Sequence, residues 1–467
     1  MNENFKSRRE QDLVKKFENH LTRNIFYFFD VDEFEDIIHY YLSENNQIKA
    51  LKAGQLGASQ YPFSIEILLL RCQVLSNLQR YEEALELLDR GETLQPHESD
   101  LFMLRGSIHL EQLNFEDALS AFKKALPYIE NKDEVYVNIG MAYQSQENYE
   151  AAIAAYKIAI HENLENEDAL YNLAFCLDIT GKLEESIQFY QQFIEADPYS
   201  YVGWYNLGIS YSKIGDIPKS IEAFEYATLI DDRFASAFFN LGNALIQAGH
   251  YQQALDAFKH TLDIEGPSSD LYCLIGQTYL FLEHFDLGLK YFQKAAKLEP
   301  LNDEAHFGSG TCLGKMDKWY EAVHYFNKAL KLNVNNALYW QASAEADYKV
   351  GNLISSLDAY EEAAMLAPED PKTWLDWSFI LYEQGDLEQA ASLIRRGLEE
   401  QPESGELYYR LAAYLILDNK YKQSLDYLQN AVVLAYEKRD SFFELFPNLE
   451  TQKALFKIIE RFRNEDS

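Results

Sequence analysis

The sequence predicts an all-α solenoid, a stack of twelve helical hairpins with a capping helix at each end. Three observations carry the prediction. A period of 34 residues runs without insertion or deletion from residue 31 to residue 438. Small residues return at fixed places in that period, as closely packed helices require. Proline and glycine are few, 11 and 21 of 467 residues, and many of them gather where helices would stop.

Composition bounds the rest. Apolar residues make up 47% and charged residues 25%, so the chain can bury a core. Length alone suggests about three domains of roughly 150 residues each; the period replaces them with one repeated unit. The 75 acidic residues outnumber 41 basic ones, for a net charge of −34. Phosphate backbones and anionic membrane surfaces bind through Lys and Arg. Neither nucleic acid nor membrane is therefore the expected partner, whereas neutral or basic proteins are. Cys72, Cys176, Cys273 and Cys312 lack metal or redox spacing and read as free, packed thiols. No apolar leader opens the chain, and its longest apolar run, Leu411–Leu417, has seven residues, far short of a membrane span, so the expected location is cytoplasmic.

Within residues 1–30, Leu13, Phe17 and Leu21 recur every fourth position, as on one face of a capping helix. The run Ile25-Phe-Tyr-Phe-Phe29 is expected to cover the open face of the first hairpin. The twelve windows that follow are 31–64, 65–98, 99–132, 133–166, 167–200, 201–234, 235–268, 269–302, 303–336, 337–370, 371–404 and 405–438. Position 8 runs from Ile38 and Cys72 through Gly106, Gly140, Ala174, Gly208, Gly242, Gly276 and Gly310 to Ala344, Ser378 and Ala412. Position 20 is Ala, Gly or Ser in all twelve windows. Position 27 is small in ten, Phe193 and Thr261 being the exceptions, and position 24 is aromatic in eight, from Phe122 to Tyr360.

Each window reads as two antiparallel helices, A and B. Positions 8 and 20 let A approach B, position 27 lets B meet the next A, and large residues at 4, 7, 11, 17 and 24 fill the space between. Gly181, Gly215, Gly249, Gly351 and Gly385 mark a left-handed turn between A and B, a slot that Asn45 and Asn419 also tolerate. Pro62, Pro96, Pro198, Pro300, Pro368 and Pro402 close windows. Ile38 and Gly54 make the first window atypical. Phe193 is oversized for its slot, with Gly208 expected to make room. In residues 439–467, Phe442, Phe443 and Phe446 precede Pro447; Leu455, Ile458, Ile459 and Phe462 then follow the helical rule and should cap the last window.

The stretches Trp204-Tyr-Asn-Leu-Gly208, Phe238-Phe-Asn-Leu-Gly-Asn-Ala244 and Tyr251-Gln-Gln-Ala-Leu-Asp-Ala-Phe258 resemble the tetratricopeptide repeat family. That resemblance implies a right-handed superhelix whose concave groove binds peptides and protein segments. Helical geometry puts positions 2, 5, 6, 9, 12 and 13 of helix A on an arc away from helix B, and the resemblance makes that arc the groove.

Catalytic signatures are missing from the sequence. No P-loop, HExxH or GxSxG occurs, and no two His residues stand three or four apart. The glycine-rich stretch Gly308-Ser-Gly-Thr-Cys-Leu-Gly314-Lys falls inside a helix A with no strand before it, so it is no phosphate cradle. The expectation is a scaffold, not an enzyme, with no cofactor and no metal.

Candidate ligand-binding residues lie on the arc. Position 6 reads Asn138, Asn172, Asn206 and Asn240 in four successive windows, with Tyr171, Tyr205 and Phe239 at position 5 and Asn243 one turn on. A row of side-chain amides can pair with the backbone of an extended chain. It resembles an asparagine ladder within that family, although the family consensus itself favours Asn there, so the row reads either as a ladder or as family background. In the first five windows the arc carries Asp32, Glu35, Asp36, Glu66, Asp100, Glu111, Glu134, Asp168 and Asp178 with no Lys or Arg, which favours a basic ligand segment. Five of those nine stand near a helix start, where the dipole favours them anyway. The last three windows mix Glu345, Asp376, Glu383 and Glu406 with Lys349, Lys372 and Arg410. A chaperone-type carboxylate clamp is not supported, because no window has Lys at position 5. The alternative reading is a structural solenoid whose end aromatics mediate homo-oligomer formation.

Overall fold

The computed structural model describes residues 2–23 and 25–465; residues 1 and 24 of the N-terminal segment and 466–467 of the C-terminal one lie outside them. All regular structure among the described residues is helical. Residues up to Ala237 form one compact unit and those from Phe238 a second.

Between Val31 and Ala435 the helices come in pairs joined by tight turns. The residue at position 15 has φ between 55° and 86° in all twelve turns. Seven of these are the glycines and asparagines expected from the sequence. The other five are Gln79, Leu113, Glu147, Glu283 and Asp317, of which all but the Asp rarely enter the left-handed region. Backbone hydrogen bonds hold them there. In every turn the next N–H reaches back five residues, from Asn46 to the Tyr41 carbonyl (2.7 Å) through to Lys420 and Leu415 (2.8 Å). Because this Schellman closure uses only main-chain atoms, glycine marks some of the turns and not others.

Inside each hairpin, position 8 meets position 24. A Cβ on Gly106, Gly140, Gly208, Gly242 or Gly310 would stand 2.3–2.7 Å from the ring of Phe122, Tyr156, Phe224, Phe258 or Phe326, respectively. All five rings are buried. The first window reverses the sizes: Ile38 is buried at position 8, while Gly54 takes the Arg71 side chain, whose Cγ would lie 2.6 Å from an added Cβ. Position 20 closes on position 8 through serines, Ser220 donating to the Gly208 carbonyl (3.0 Å) and Ser356 to that of Ala344 (2.7 Å).

Neighbouring hairpins join at position 27, where Gly57 meets Ile67 and Gly91 meets Leu101 of the next helix. The partner is position 3 of that helix, and this corrects the expectation for Phe193. Gly208 is already filled by Phe224; the room for Phe193 comes from Gly203, where a Cβ would fall 2.7 Å from the ring. A second seam recurs at position 4. The indole N–H groups of Trp204, Trp340 and Trp374 donate to the carbonyls of Pro198, Val334 and Pro368 at 2.8–3.0 Å, and His306 Nε2 meets the Pro300 carbonyl at 3.1 Å. The glycine-rich stretch lies within helix Asp303–Lys315, where Gly308 and Gly310 receive the rings of Phe292 and Phe326 from two different helices.

Helix Asn2–Arg23 buries Leu13, Val14 and Phe17 beside Phe34, Ile37 and Tyr41. The aromatic run after it does not cover the first hairpin as a block. It runs outside any helix, with Tyr27 and Phe29 turned inward and Ile25, Phe26 and Phe28 exposed. Gln60 fixes it, donating to the Tyr27 carbonyl (2.9 Å) and accepting from the Phe29 N–H (3.1 Å). At the other end, Phe442, Leu445, Phe446, Leu455 and Ile459 share one core with Leu411 and Leu428. All four cysteines are buried free thiols; burial pushes Cys176 up to about 11 and the other three up to about 12.

Two outcomes follow. Gly140→Ala places a methyl in the Tyr156 ring and should lower unfolding free energy by about 1–3 kcal/mol in denaturant titrations, with part of the loss recovered in Gly140→Ala/Tyr156→Leu. The folded protein at pH 8 should leave all four thiols unlabelled by a disulfide reagent, because they stay protonated and covered, and unfolding should expose all four.

Candidate functional site

The asparagine row begins in the first unit, and its members are not equivalent. Asn138 and Asn172 are half-buried, and each Nδ2 donates back along its own helix, to the Glu134 carbonyl (2.9 Å) and the Asp168 carbonyl (2.8 Å). Their donors are therefore engaged, while each Oδ1 keeps its acceptor capacity. Asn206 is only 2% exposed, and its Nδ2 makes no hydrogen bond.

The cause is geometric. Position 6 does face away from its own helix B, but it meets the ring at position 24 of the preceding hairpin. Gly308 stands against Phe292 in this way, and Asn206 against Tyr190. The Tyr190 hydroxyl donates to the Leu170 carbonyl (2.8 Å), and burial pushes its acidity constant up.

Aromatic residues at position 5 divide similarly. Tyr171 is 38% exposed, its phenol pushed up to about 12 by burial, with Glu167 and Tyr205 adding to the rise. Tyr205 packs edge-on to Phe234 (4.8 Å between centroids) and tilts on Phe224 (5.9 Å). In the second unit Phe239 leans on Phe258 (6.1 Å), and Asn240 and Asn243 are half-buried on the same helix.

A cavity of about 260 Å³ in the second unit was not foreseen as a site. It opens among helices Asp303–Lys315, Ala337–Lys349 and Pro371–Glu383. Phe307, Thr311, Gln341, Glu345, Lys372 and Asp376 line it, all at arc positions, and Trp319, Phe326 and Tyr360 add aromatic surface. Burial pushes the Asp376 carboxyl up, against Lys372 and Arg410 and with Glu345 adding to the rise. The sequence placed Glu345 and Asp376 on the arc, but convergence across hairpins needs the stacking geometry, which the period alone does not supply.

Part of the acidic character of the first five windows is internally compensated. Asp178 pairs with Lys213 and Glu35 lies 3.6 Å from the His39 imidazole, whereas Glu111 accepts from the neutral Ser76 hydroxyl (2.9 Å) and keeps its charge. Among the described residues, no group of three or more His, Cys, Asp or Glu side chains is placed to hold a metal ion, and no helix is long and apolar enough to cross a membrane.

Four tetratricopeptide repeat models match the chain, one over residues 70–133 and 137–201, the others over 189–222, 235–266 with 269–300, and 349–415. No curated protein matches it. Among solved structures it is similar to YrrB, described as a tetratricopeptide repeat protein with an unusual peptide-binding site, at 21% identity and a TM-score of 0.35 over 42% of this chain and 97% of that one. A chain of the Cut9–Hcn1 hetero-tetramer of APC/C is similar at 14% identity and a TM-score of 0.42, over 89% and 95%. MamA from Desulfovibrio magneticus RS-1 is similar at 20% identity and a TM-score of 0.34, over 37% and 97%. With repeat models matching more than half of its length, and the same hairpin geometry recurring in both units, the chain belongs to the tetratricopeptide repeat family.

Proposed function

We propose that this protein is a non-catalytic interaction scaffold that holds extended segments of partner proteins against the arc of its A helices. The 34-residue windows are its repeats, and the two end helices are its caps. One observation carries the reading: the cavity built from arc positions of three successive hairpins. Its aromatic walls suit an amphipathic side chain of a bound segment, and the balanced set Glu345, Asp376, Lys315 and Lys372 suits polar groups of either sign beside it.

In the first unit, the Oδ1 atoms of Asn138 and Asn172 are left to accept backbone N–H groups, with the exposed Tyr171 ring beside them. Tyr205 and Asn206 support that stretch from below, and Asn240, Asn243 and Phe239 offer a comparable set in the second unit. Partners that are neutral or basic, in the cytoplasm, fit the net charge of −34.

The test is affinity capture from lysate read by mass spectrometry. Asn138→Ala/Asn172→Ala and Glu345→Gln/Asp376→Asn should each lose wild-type partners about tenfold, with unfolding free energy changed by about 1 kcal/mol or less. Unchanged capture by both variants would remove the proposal. A second reading rests on Phe26 and Phe28, 73% and 66% exposed at one end. If they drive self-assembly, the mass by light scattering rises with concentration and Phe26→Ala/Phe28→Ala abolishes the rise; a monomer throughout sinks that reading.

A further inference from the structure

In a chain with a net charge of −34, one face is basic. Helix Phe285–Leu298 carries Lys290, Lys294 and Lys297, and helix Trp319–Leu332 carries Lys328 and Lys331. The pairs Lys294/Lys297 and Lys328/Lys331 occupy positions 26 and 29 of successive windows, and no other window has Lys at both. A place in the last turn of a helix accounts for a lysine through the dipole, but not for this doubling in two adjacent helices alone.

None of these lysines forms an ion pair with a carboxylate among the described residues. Aromatic faces hold two of them instead. The Lys294 ammonium lies 4.4 Å from the Tyr291 ring centroid and that of Lys328 5.3 Å from Tyr325. Such contacts order an ammonium group without cancelling its charge.

Between the two helices lies a cleft of about 660 Å³, lined by Lys297, Lys328 and Lys331 around Pro300, Tyr325 and Leu332. His306 also lines it. That side chain is 8% exposed; its Nε2 is bonded to the Pro300 carbonyl, and its Nδ1 has no hydrogen-bond partner. The cleft thus joins apolar surface, uncompensated cations and a buried polar atom lacking a partner. It is formed by B helices and the joint between hairpins, apart from the arc of the A helices.

We propose that this cleft docks an acidic, amphipathic protein segment, whose carboxylates meet Lys297, Lys328 and Lys331 while an apolar side chain covers Pro300 and Leu332. The apolar surface selects against a bare phosphate chain, which has nothing to bury there. The overall negative charge adds a penalty that grows with the charge density of the ligand. Among Lys, Arg, Asp and Glu, only lysines line the cleft itself, so a docked segment meets them well inside the roughly 8 Å screening length at physiological salt.

The experiment is fluorescence anisotropy with a fluorescein-labelled peptide, Glu-Asp-Leu-Phe repeated three times, and the full chain. Binding should appear at low salt and weaken as salt rises. Lys297→Glu/Lys331→Glu should weaken it about tenfold or more, with Lys297→Gln/Lys331→Gln intermediate; both lysines are exposed, and circular dichroism checks that each variant is folded. Asn138→Ala/Asn172→Ala should bind the peptide as wild type does, which separates this cleft from the arc. Absence of binding at low salt, or equal binding by wild type and the charge-reversed variant, overturns the proposal. So does tighter binding of a single-stranded oligonucleotide that the same variant loses.

Discussion

The contact on which the rest of the molecule depends is an aromatic ring lodged where a side chain is missing. Position 24 supplies the ring, and position 8 of the same hairpin supplies the space. Neither residue works without the other. A methyl at Gly140 would overlap Tyr156, and a smaller group at 156 would leave a void that close packing does not tolerate. Where glycine at 8 gives way to alanine, as at Ala344, the partner is still a buried ring, Tyr360.

The same ring connects one hairpin to the next. Phe292 is bounded by Gly276 in its own hairpin and by Gly308 in the following one. Tyr190 has Asn206 in the corresponding place. This double duty decides which arc residues a partner can reach. Asn206 is spent on the joint, whereas Asn138 and Asn172 keep more exposure and Tyr171 still more. A face that looks uniform in the sequence is thus graded in space by the packing beneath it.

Legibility in the sequence followed the same division. The hairpin unit, its turns and the 8–20 contact could be read because each depends on residues a fixed number of places apart. Gln79, Leu113, Glu147, Glu283 and Asp317 carry no such mark in the sequence because main-chain bonds, not residue type, set their conformation. Spacing points Phe193 toward Gly208 because it says which residues are small without saying which neighbour fills each gap; Phe224 fills that of Gly208, and Phe193 fills that of Gly203. The cavity around Glu345 and Asp376 was invisible for a related reason. Its walls come from three A helices, and only their stacking brings the two carboxyls to one opening.

The position 4 seams bear on how the molecule can be watched. Trp204, Trp340 and Trp374, three of the five tryptophans, place their indole N–H on a carbonyl six residues earlier, across the boundary from the preceding hairpin. Intrinsic emission is accordingly weighted toward the seams, while far-ultraviolet ellipticity counts helix wherever it lies. In an array stabilised chiefly by nearest neighbours, seams can part before helices melt. The two optical signals then trace different events, and a single transition temperature taken from either one describes only its own part of the chain.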